Sequence, residues 1–335
     1  MTDNSELNRA ILGVDIGGTK VAVGLVNNDG TILAQARTPM VASGTAEAAF
    51  QAVTDAIDSM SVAPVSAPRS GSGFRSIGIC APGPLDPKTG VVLNPPNLPC
   101  WRNFPLAEKI VDRYQVPVKV DNDANAAALA ETRWGAARRF RYVFYATIGT
   151  GIGTGIVLDG RIYHGNTGSA GEGGHVSIDY RGPLCSCGKR GCIEILASGR
   201  AIGTRARAKL AADPARHSAI LELAHGDVAT VTSEFVGEAF KAGDALAREI
   251  LLETVEVLTP WFGNIVDLLD PDILVVGGGV AAMLQPFFSE IKNRLPAWCV
   301  NPRASDIPLV MAHYGADAGI AGGAALCAEQ ISSGE

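Results

Sequence analysis

The sequence predicts an α/β protein made of two similar domains, and three observations carry that expectation. A strand, a glycine turn and a second strand occur twice, once over Leu12–Val26 and again over Tyr142–Leu158. Two strands, Val116–Val120 and Asp272–Val276, run into segments of helical composition, and strand ends that feed helix N-termini are where α/β folds place ligands. The length of 335 residues is itself that of about two domains.

Composition bounds the function classes. With 47% hydrophobic and 19% charged residues, the chain has enough apolar material for a sizeable core. A net charge of -6, with no basic cluster longer than Arg138-Arg139 and Arg141, argues against a nucleic-acid partner, whose site carries a basic stripe. No apolar run approaches the ~20 residues of a membrane span. Met1 to Ala10 is polar and lacks the apolar core of a signal peptide. The expectation is a cytoplasmic protein with neither a nucleic-acid nor a membrane partner.

Leu12–Ile16 is the first strand. Gly17 and Gly18 turn the chain, a second strand runs to Val26, and Asn27-Asn28-Asp29-Gly30 turns into a third near Thr31–Arg37. Amides freed by a glycine turn cradle phosphate oxygens, and an acid at a strand end holds magnesium through water. Asp15, Gly17, Gly18, Thr19 and Lys20 therefore form one candidate group, with an ordinary glycine-turned hairpin as the alternative. The turn leads to a strand and not to a helix, which separates it from the Walker loop and the dinucleotide fingerprint.

Thr45–Met60 has helical spacing, with Ala46, Phe50, Val53 and Ile57 on one face. Ser61–Gly73 reads as a surface loop and Ser76–Cys80 as a buried strand. The segment Asn94-Pro95-Pro96-Asn97-Leu98-Pro99 is a loop that offers amide groups to a polar ligand, or a plain turn. Leu106–Tyr114 is the second helix. Past the strand Val116–Val120, Asp121-Asn122-Asp123-Ala124-Asn125 precedes an alanine-rich helix, Ala126–Trp134. Asp123 serves there as a helix cap or as a catalytic carboxylate, and one cap does not require four such residues together.

The second strand pair encloses Gly149-Thr150-Gly151, and Asp159-Gly160 turns it into Arg161-Ile162-Tyr163. The repeat suggests two facing domains that each offer a phosphate loop to one nucleotide; glycines marking bulges are the other reading. Helices follow at Ser198–Ala211, Ser218–Ala224 and Ser233–Ala242, then a long one over Asp244–Leu269, interrupted at Pro260. Gly277-Gly278-Gly279 ends a buried strand, where the backbone approaches a flat base or simply packs a helix tightly. A strand at Pro308–Ala312 and a small-residue helix at Ala316–Glu329 close the chain.

The most specific stretch is Glu172-Gly173-Gly174-His175, nine residues, then Cys185-Ser186-Cys187-Gly188-Lys189-Arg190-Gly191-Cys192-Ile193-Glu194. His175, Cys185, Cys187 and Cys192 form a Cys3His zinc ligand set, and a site with no open position is structural. Gly188 and Gly191 supply the sharp turns such a wrap needs. Free thiols in a surface loop, or a disulfide, are the alternatives. Glu172 and Glu194 flank the ligands, so a metal that folds the loop also fixes two carboxylates, which are candidates for substrate contacts. A thiol-rich metal loop suits a reducing compartment.

Three glycine turns, an Asn-Asp pair at a strand end and this Cys3His loop, occurring in a fixed order, resemble the ROK family of sugar kinases and repressors, within the actin-like, hexokinase-like ATPase superfamily. The resemblance covers nearly the whole chain. The family usually carries a bulky apolar residue where Gly173 stands. The resemblance implies two actin-like ATPase (ribonuclease H-like) α/β domains around a cleft: a small one over 1–121 plus 315–335, and a large one over 122–314 with the zinc loop. It implies phosphorylation of a hexose by ATP, most simply glucose, as in glycolysis. Asp15 would position magnesium, while Gly17, Gly18 and Thr19 with Gly149, Thr150 and Gly151 hold the phosphates. Gly277, Gly278 and Gly279 would face the adenosine. Asp123 would be the general base on O6, and Asn97, Asn122, Glu172, His175 and Glu194 would bind the other sugar hydroxyls. His175 would serve twice, one ring nitrogen on zinc and the other on a hydroxyl. A homodimer or homotetramer is the implied assembly.

N-acetylmannosamine, N-acetylglucosamine and fructose are alternative acceptors, and inorganic polyphosphate an alternative donor. From other classes come a zinc-stabilised module without catalysis and a sugar-responsive repressor. Repressors of the family usually carry a winged helix-turn-helix ahead of the first phosphate motif, where only about ten residues stand here.

Overall fold

The computed structural model describes residues 10–60 and 74–329 and contains two compact units. One comprises Met1–Arg141, Gly155–Gly171 and His313–Glu335; the other comprises Tyr142–Thr154 and Glu172–Ala312. The loop expected over Ser61–Gly73 and the polar stretch before Ala10 lie outside the described residues.

The first unit is built on a five-stranded sheet. β1 (Ile11–Ile16), β2 (Lys20–Val26) and β3 (Ile32–Pro39) form an antiparallel meander, and β4 (Ser76–Ala81) and β7 (Val118–Asn122) continue it in parallel, in the order β3-β2-β1-β4-β7. A two-stranded ribbon, β5 (Leu85–Asp86) with β6 (Val91–Val92), lies between β4 and β7 in sequence. β7 begins and ends two residues later than the sequence suggests, which brings Asp121 and Asn122 into the strand.

The central strands are apolar on both faces because both are covered. Leu12, Val14 and Ile16 pack with Val53 and Ile57 of α1 (Ala46–Asp58) and Leu106 and Ile110 of α2 (Leu106–Tyr114). Ile11 packs on the opposite face with Ile320 and Ala324 of the C-terminal helix Ala318–Cys327. That helix also packs on α3 (Asp123–Arg133), where Ala126, Leu129 and Ala130 meet Ala321 and Ala325. Each fully buried Val, Leu or Ile side chain contributes roughly 1.5–3 kcal/mol. The parallel register is what matters for function: Asp15 pairs with Cys80, and Cys80 with Asp121, in one row at the C-terminal strand ends.

The second sheet has the order β10-β9-β8-β11-β12, with β8 (Tyr142–Ile148), β9 (Ile152–Leu158), β10 (Arg161–Ile162), β11 (Ile273–Gly277) and β12 (Leu309–Met311). It repeats the strand order of the first, as the duplicated sequence motif leads one to expect, and the chain passes from one unit to the other within β9. In the second unit β8, β11 and β12 are parallel, with Thr147 opposite Gly277. Helices at Gly199–Ala212, Ala219–Leu223 and Ser233–Lys241 follow the expected order.

The long helix corrects one expectation. Ala245–Leu269 is a single helix of 25 residues with Pro260 inside it. Proline removes the N–H that would bond the carbonyl four residues back. That carbonyl belongs to Glu256, which is exposed and open to water, while Leu258, Trp261, Phe262 and Ile265 are buried and hold both halves.

Candidate active site and metal centre

In the first unit the glycine turn and the proline-rich loop come together. Gly17 N–H donates to Lys20 O at 2.9 Å, closing the turn and leaving Thr19 and Lys20 exposed. A side chain at Gly18 would sit 2.6 Å from Asn97 O, so only glycine lets the two loops approach this closely. Leu98, fully buried, anchors the loop and leaves Asn97 exposed beside the turn. Trp101 is buried under it, stacked on Phe104 with ring centroids 4.6 Å apart.

Asn122 is the cap of α3: its side chain accepts from Asn125 N–H at 2.7 Å. Asp123 is therefore the first helical residue and not the cap, with α3 starting three residues earlier than the sequence suggests. Its Oδ1 accepts from Ala124 N–H at 2.8 Å. Burial pushes this carboxyl above the ordinary range, and the backbone hydrogen bonds offset the rise only in part. Part of the residue's surface still faces solvent, although its carboxyl is surrounded by protein. Asp15 is pushed up to about 6 by burial and then by the charge of Asp123, with Lys20 and Arg37 opposing. Asp123 thus raises Asp15, and two such carboxylates offer the hard oxygen donors that suit magnesium.

Two further carboxylates, to which the sequence assigns no individual role, belong to this unit. Asp121 is buried and pairs with His164, which sequence alone leaves as a lone loop histidine. Glu131, on α3, is fully buried: Oε1 accepts from His313 and Tyr314 N–H at 2.8 and 3.0 Å, and Oε2 from Ala136 N–H at 2.8 Å.

In the second unit the four expected metal ligands converge, with one donor atom from each within 4.8 Å of all the others. Cys187 Sγ and Cys192 Sγ are 3.6 Å apart, and Cys185 Sγ is 3.7 Å from His175 Nδ1. A tetrahedral zinc with ordinary bond lengths requires about 3.8 Å between sulfurs and about 3.6 Å between sulfur and nitrogen. The residues therefore fit zinc, and the sulfurs stand far beyond the ~2.05 Å of a disulfide. Gly188 and Gly191 make the turns with φ of 88° and 62°. Binding through Nδ1 would leave His175 Nε2 available to a second partner.

The same unit ties that loop to the second glycine turn. Glu194, half-buried in the first turn of the helix Ile193–Ala197, accepts from Ile152 N–H through Oε2 at 2.9 Å. Gly149 O accepts from Gly199 N–H at 2.7 Å, and Thr150 is exposed at the tip. Gly277, which pairs with Thr147, ends β11, and Gly278 and Gly279 follow it, which places the three beside this turn. Glu172 is exposed. At Gly173 a side chain would meet Thr154 Oγ1 at 2.6 Å, so buried Thr154 fills the space. Gly173 N–H donates to that hydroxyl at 2.8 Å, and Trp261 Nε1 donates to Gly173 O at 3.1 Å. Thr154 and Trp261 give no sequence signal of this role.

Residues 11–330 match the ROK family. The chain belongs to that family. A glucokinase of Thermotoga maritima is 30% identical over 96% of this chain and 98% of its own. An N-acetylmannosamine kinase of Shigella boydii is 33% identical over 94% of this chain and 97% of its own. Among solved structures, a ROK glucokinase of Streptomyces griseus in complex with glucose and AMPPNP is 33% identical, with a TM-score of 0.77, covering 95% of this chain and 98% of that one. The ROK chain described here thus has the α/β, actin-like ATPase fold. No helix among its described residues is long and apolar enough to cross a membrane.

Proposed function

We propose that this ROK protein is a sugar kinase that transfers a phosphoryl group from ATP to the 6-hydroxyl of a hexose, with glucose as the foremost acceptor. The observation that carries the reading is Asp123 at the first position of α3, its carboxyl raised by desolvation and near enough to Asp15 to raise that residue in turn. A raised carboxyl is a better proton acceptor near neutral pH, and such a base contributes typically 10²–10⁴-fold.

In this reading the sugar hydroxyl gives its proton to Asp123 as its oxygen bonds to the γ-phosphorus, and ADP leaves with the electrons of the broken P–O bond. Asn97, Asn122, Glu172, His175 and Glu194 hold the remaining hydroxyls. Gly17, Gly18, Thr19 and Lys20, with Gly149, Thr150 and Gly151, present donors to the phosphates, and Gly277 to Gly279 face the adenosine. Asp15 would hold magnesium, which supplies charge neutralisation on the phosphate oxygens when bound. His175, Cys185, Cys187 and Cys192 would hold zinc, which supplies rigidity to the loop between Glu172 and Glu194. A thiolate loop of this kind suits the cytoplasm.

The resemblance to an N-acetylmannosamine kinase supports a second acceptor class, hexoses with an acetamido group. The test is ADP release with MgATP against a panel of hexoses and N-acetylhexosamines, with Asp123→Asn as the blank. Sugar-dependent turnover absent from the variant is the expected result. No turnover with any sugar, with ATP or polyphosphate as donor, would sink the reading.

A further inference from the structure

His164 lies two residues beyond β10 and sets Nε2 2.6 Å from Asp121 Oδ2. Asp121 is 4% exposed and its other oxygen is also committed: Oδ1 accepts from Asn122 N–H at 2.8 Å and from Asn125 Nδ2 at 3.1 Å. One buried carboxylate thus grips the backbone just before Asp123 and a side chain two residues after it. A buried carboxylate stripped of a hydrogen-bond partner is strongly disfavoured, so the grip depends on what satisfies Oδ2. The group that does so is an imidazole 43 residues away in sequence.

We infer that His164 is a positioning residue for the transfer step: by saturating Asp121, it fixes the turn that aims Asp123 at the acceptor hydroxyl. This rests on Asp123 being the base of the proposed kinase. Charged groups that face His164 are Asp121 on β7, and Asp86 at the end of β5 and Lys88 in the turn after it, which line the same cavity. The hydrogen bond to Asp121 holds the imidazole above its usual range, with burial and Lys88 opposing. Either protonation state donates through Nε2, so it is the donor and not the charge that the role requires. A cavity of about 320 Å³, open to solvent and lined by Asp86, Lys88, His164, Asn166 and Thr167, adjoins the ring. That cavity gives a small molecule a route to the place the ring would vacate.

The experiment compares wild type, His164→Ala and His164→Gln for kcat, for sugar and ATP KM, and for Tm, with Asp123→Asn alongside. His164→Ala is expected to lower kcat about 10- to 100-fold, the scale of an ångström-sized misplacement, while ATP KM changes little. His164→Gln, whose amide keeps a donor, is expected to recover most of that loss. Added imidazole is expected to raise kcat of His164→Ala and to leave wild type unchanged. If His164→Ala keeps full kcat, or loses Tm alone, the role of His164 is overturned while wild-type turnover lost in Asp123→Asn leaves the kinase reading standing. Equal impairment of the Ala and Gln variants would overturn it as well.

Discussion

Thr154→Val tests how the loop that carries the four candidate metal ligands is held at Gly173. The change is nearly isosteric, so what it removes is the hydroxyl that accepts Gly173 N–H at 2.8 Å, in a place where Thr154 is 3% exposed. A buried N–H left without an acceptor costs about 1–3 kcal/mol. Trp261 still holds Gly173 O, so the peptide between Glu172 and Gly173 can relieve the cost only by turning, which moves Glu172 and His175. The cost should emerge as sugar KM, as Tm, or divided between them. Taken wholly in binding it is roughly 5- to 150-fold in KM; taken wholly in stability it is about 2–4 °C of Tm for each kcal/mol in a domain of 150–250 residues. The assay is sugar titration at saturating ATP beside calorimetric unfolding, with Thr154→Ser as the control that keeps the hydroxyl. Unchanged KM and Tm in Thr154→Val would refute the argument. A cycle sharpens it: Gly173→Ala alone places Cβ 2.6 Å from Thr154 Oγ1, whereas beside Thr154→Ala the nearest remaining side-chain atom is Thr154 Cβ at 3.3 Å. The pair should therefore be less damaging than its parts predict.

Cys187→Ser should lower both bound zinc and Tm; metal analysis showing full occupancy would remove Cys187 from the ligand set. Glu131→Gln turns one of three charge-assisted bonds into a meeting of two donors, so a loss of roughly 1.5–3 kcal/mol and several degrees of Tm is expected, and an unchanged Tm would mean the clamp is dispensable. Asp15, raised from 3.8 to about 6, takes up a proton as pH falls through about 6, so apparent magnesium affinity should drop over that interval and be pH-independent there in Asp15→Asn. The same shift has a stability sign: the folded state keeps that proton longer than the unfolded chain, so without the cation stability declines as pH rises from 3.8 toward about 6.

Much of this was legible in the sequence because the signals are local. Glycine turns between alternating strands, an Asp-Asn run before an alanine-rich helix and three thiols in eight residues each specify a conformation over a few residues. The features that escaped depend on partners far along the chain. His164 and Asp121 are 43 residues apart, and nothing near either marks the other. Glu131 sits in a helix where a glutamate ordinarily reads as solvent-facing, and its burial follows from backbone amides at His313 and Tyr314. Pro260 reads as a break because propensity is local, whereas the buried side chains on both sides of it bind the two halves of the helix to one core.

The strand orders β3-β2-β1-β4-β7 and β10-β9-β8-β11-β12 are one ordering written twice. The two differ in chemistry at matching positions. Where β1 sets Asp15 opposite Cys80, two residues before Gly17, β8 sets Thr147 opposite Gly277, two residues before Gly149. One half presents charge there and the other a neutral rim of amides and hydroxyls. A difference of that kind needs changes at a few strand ends and leaves the shared frame untouched.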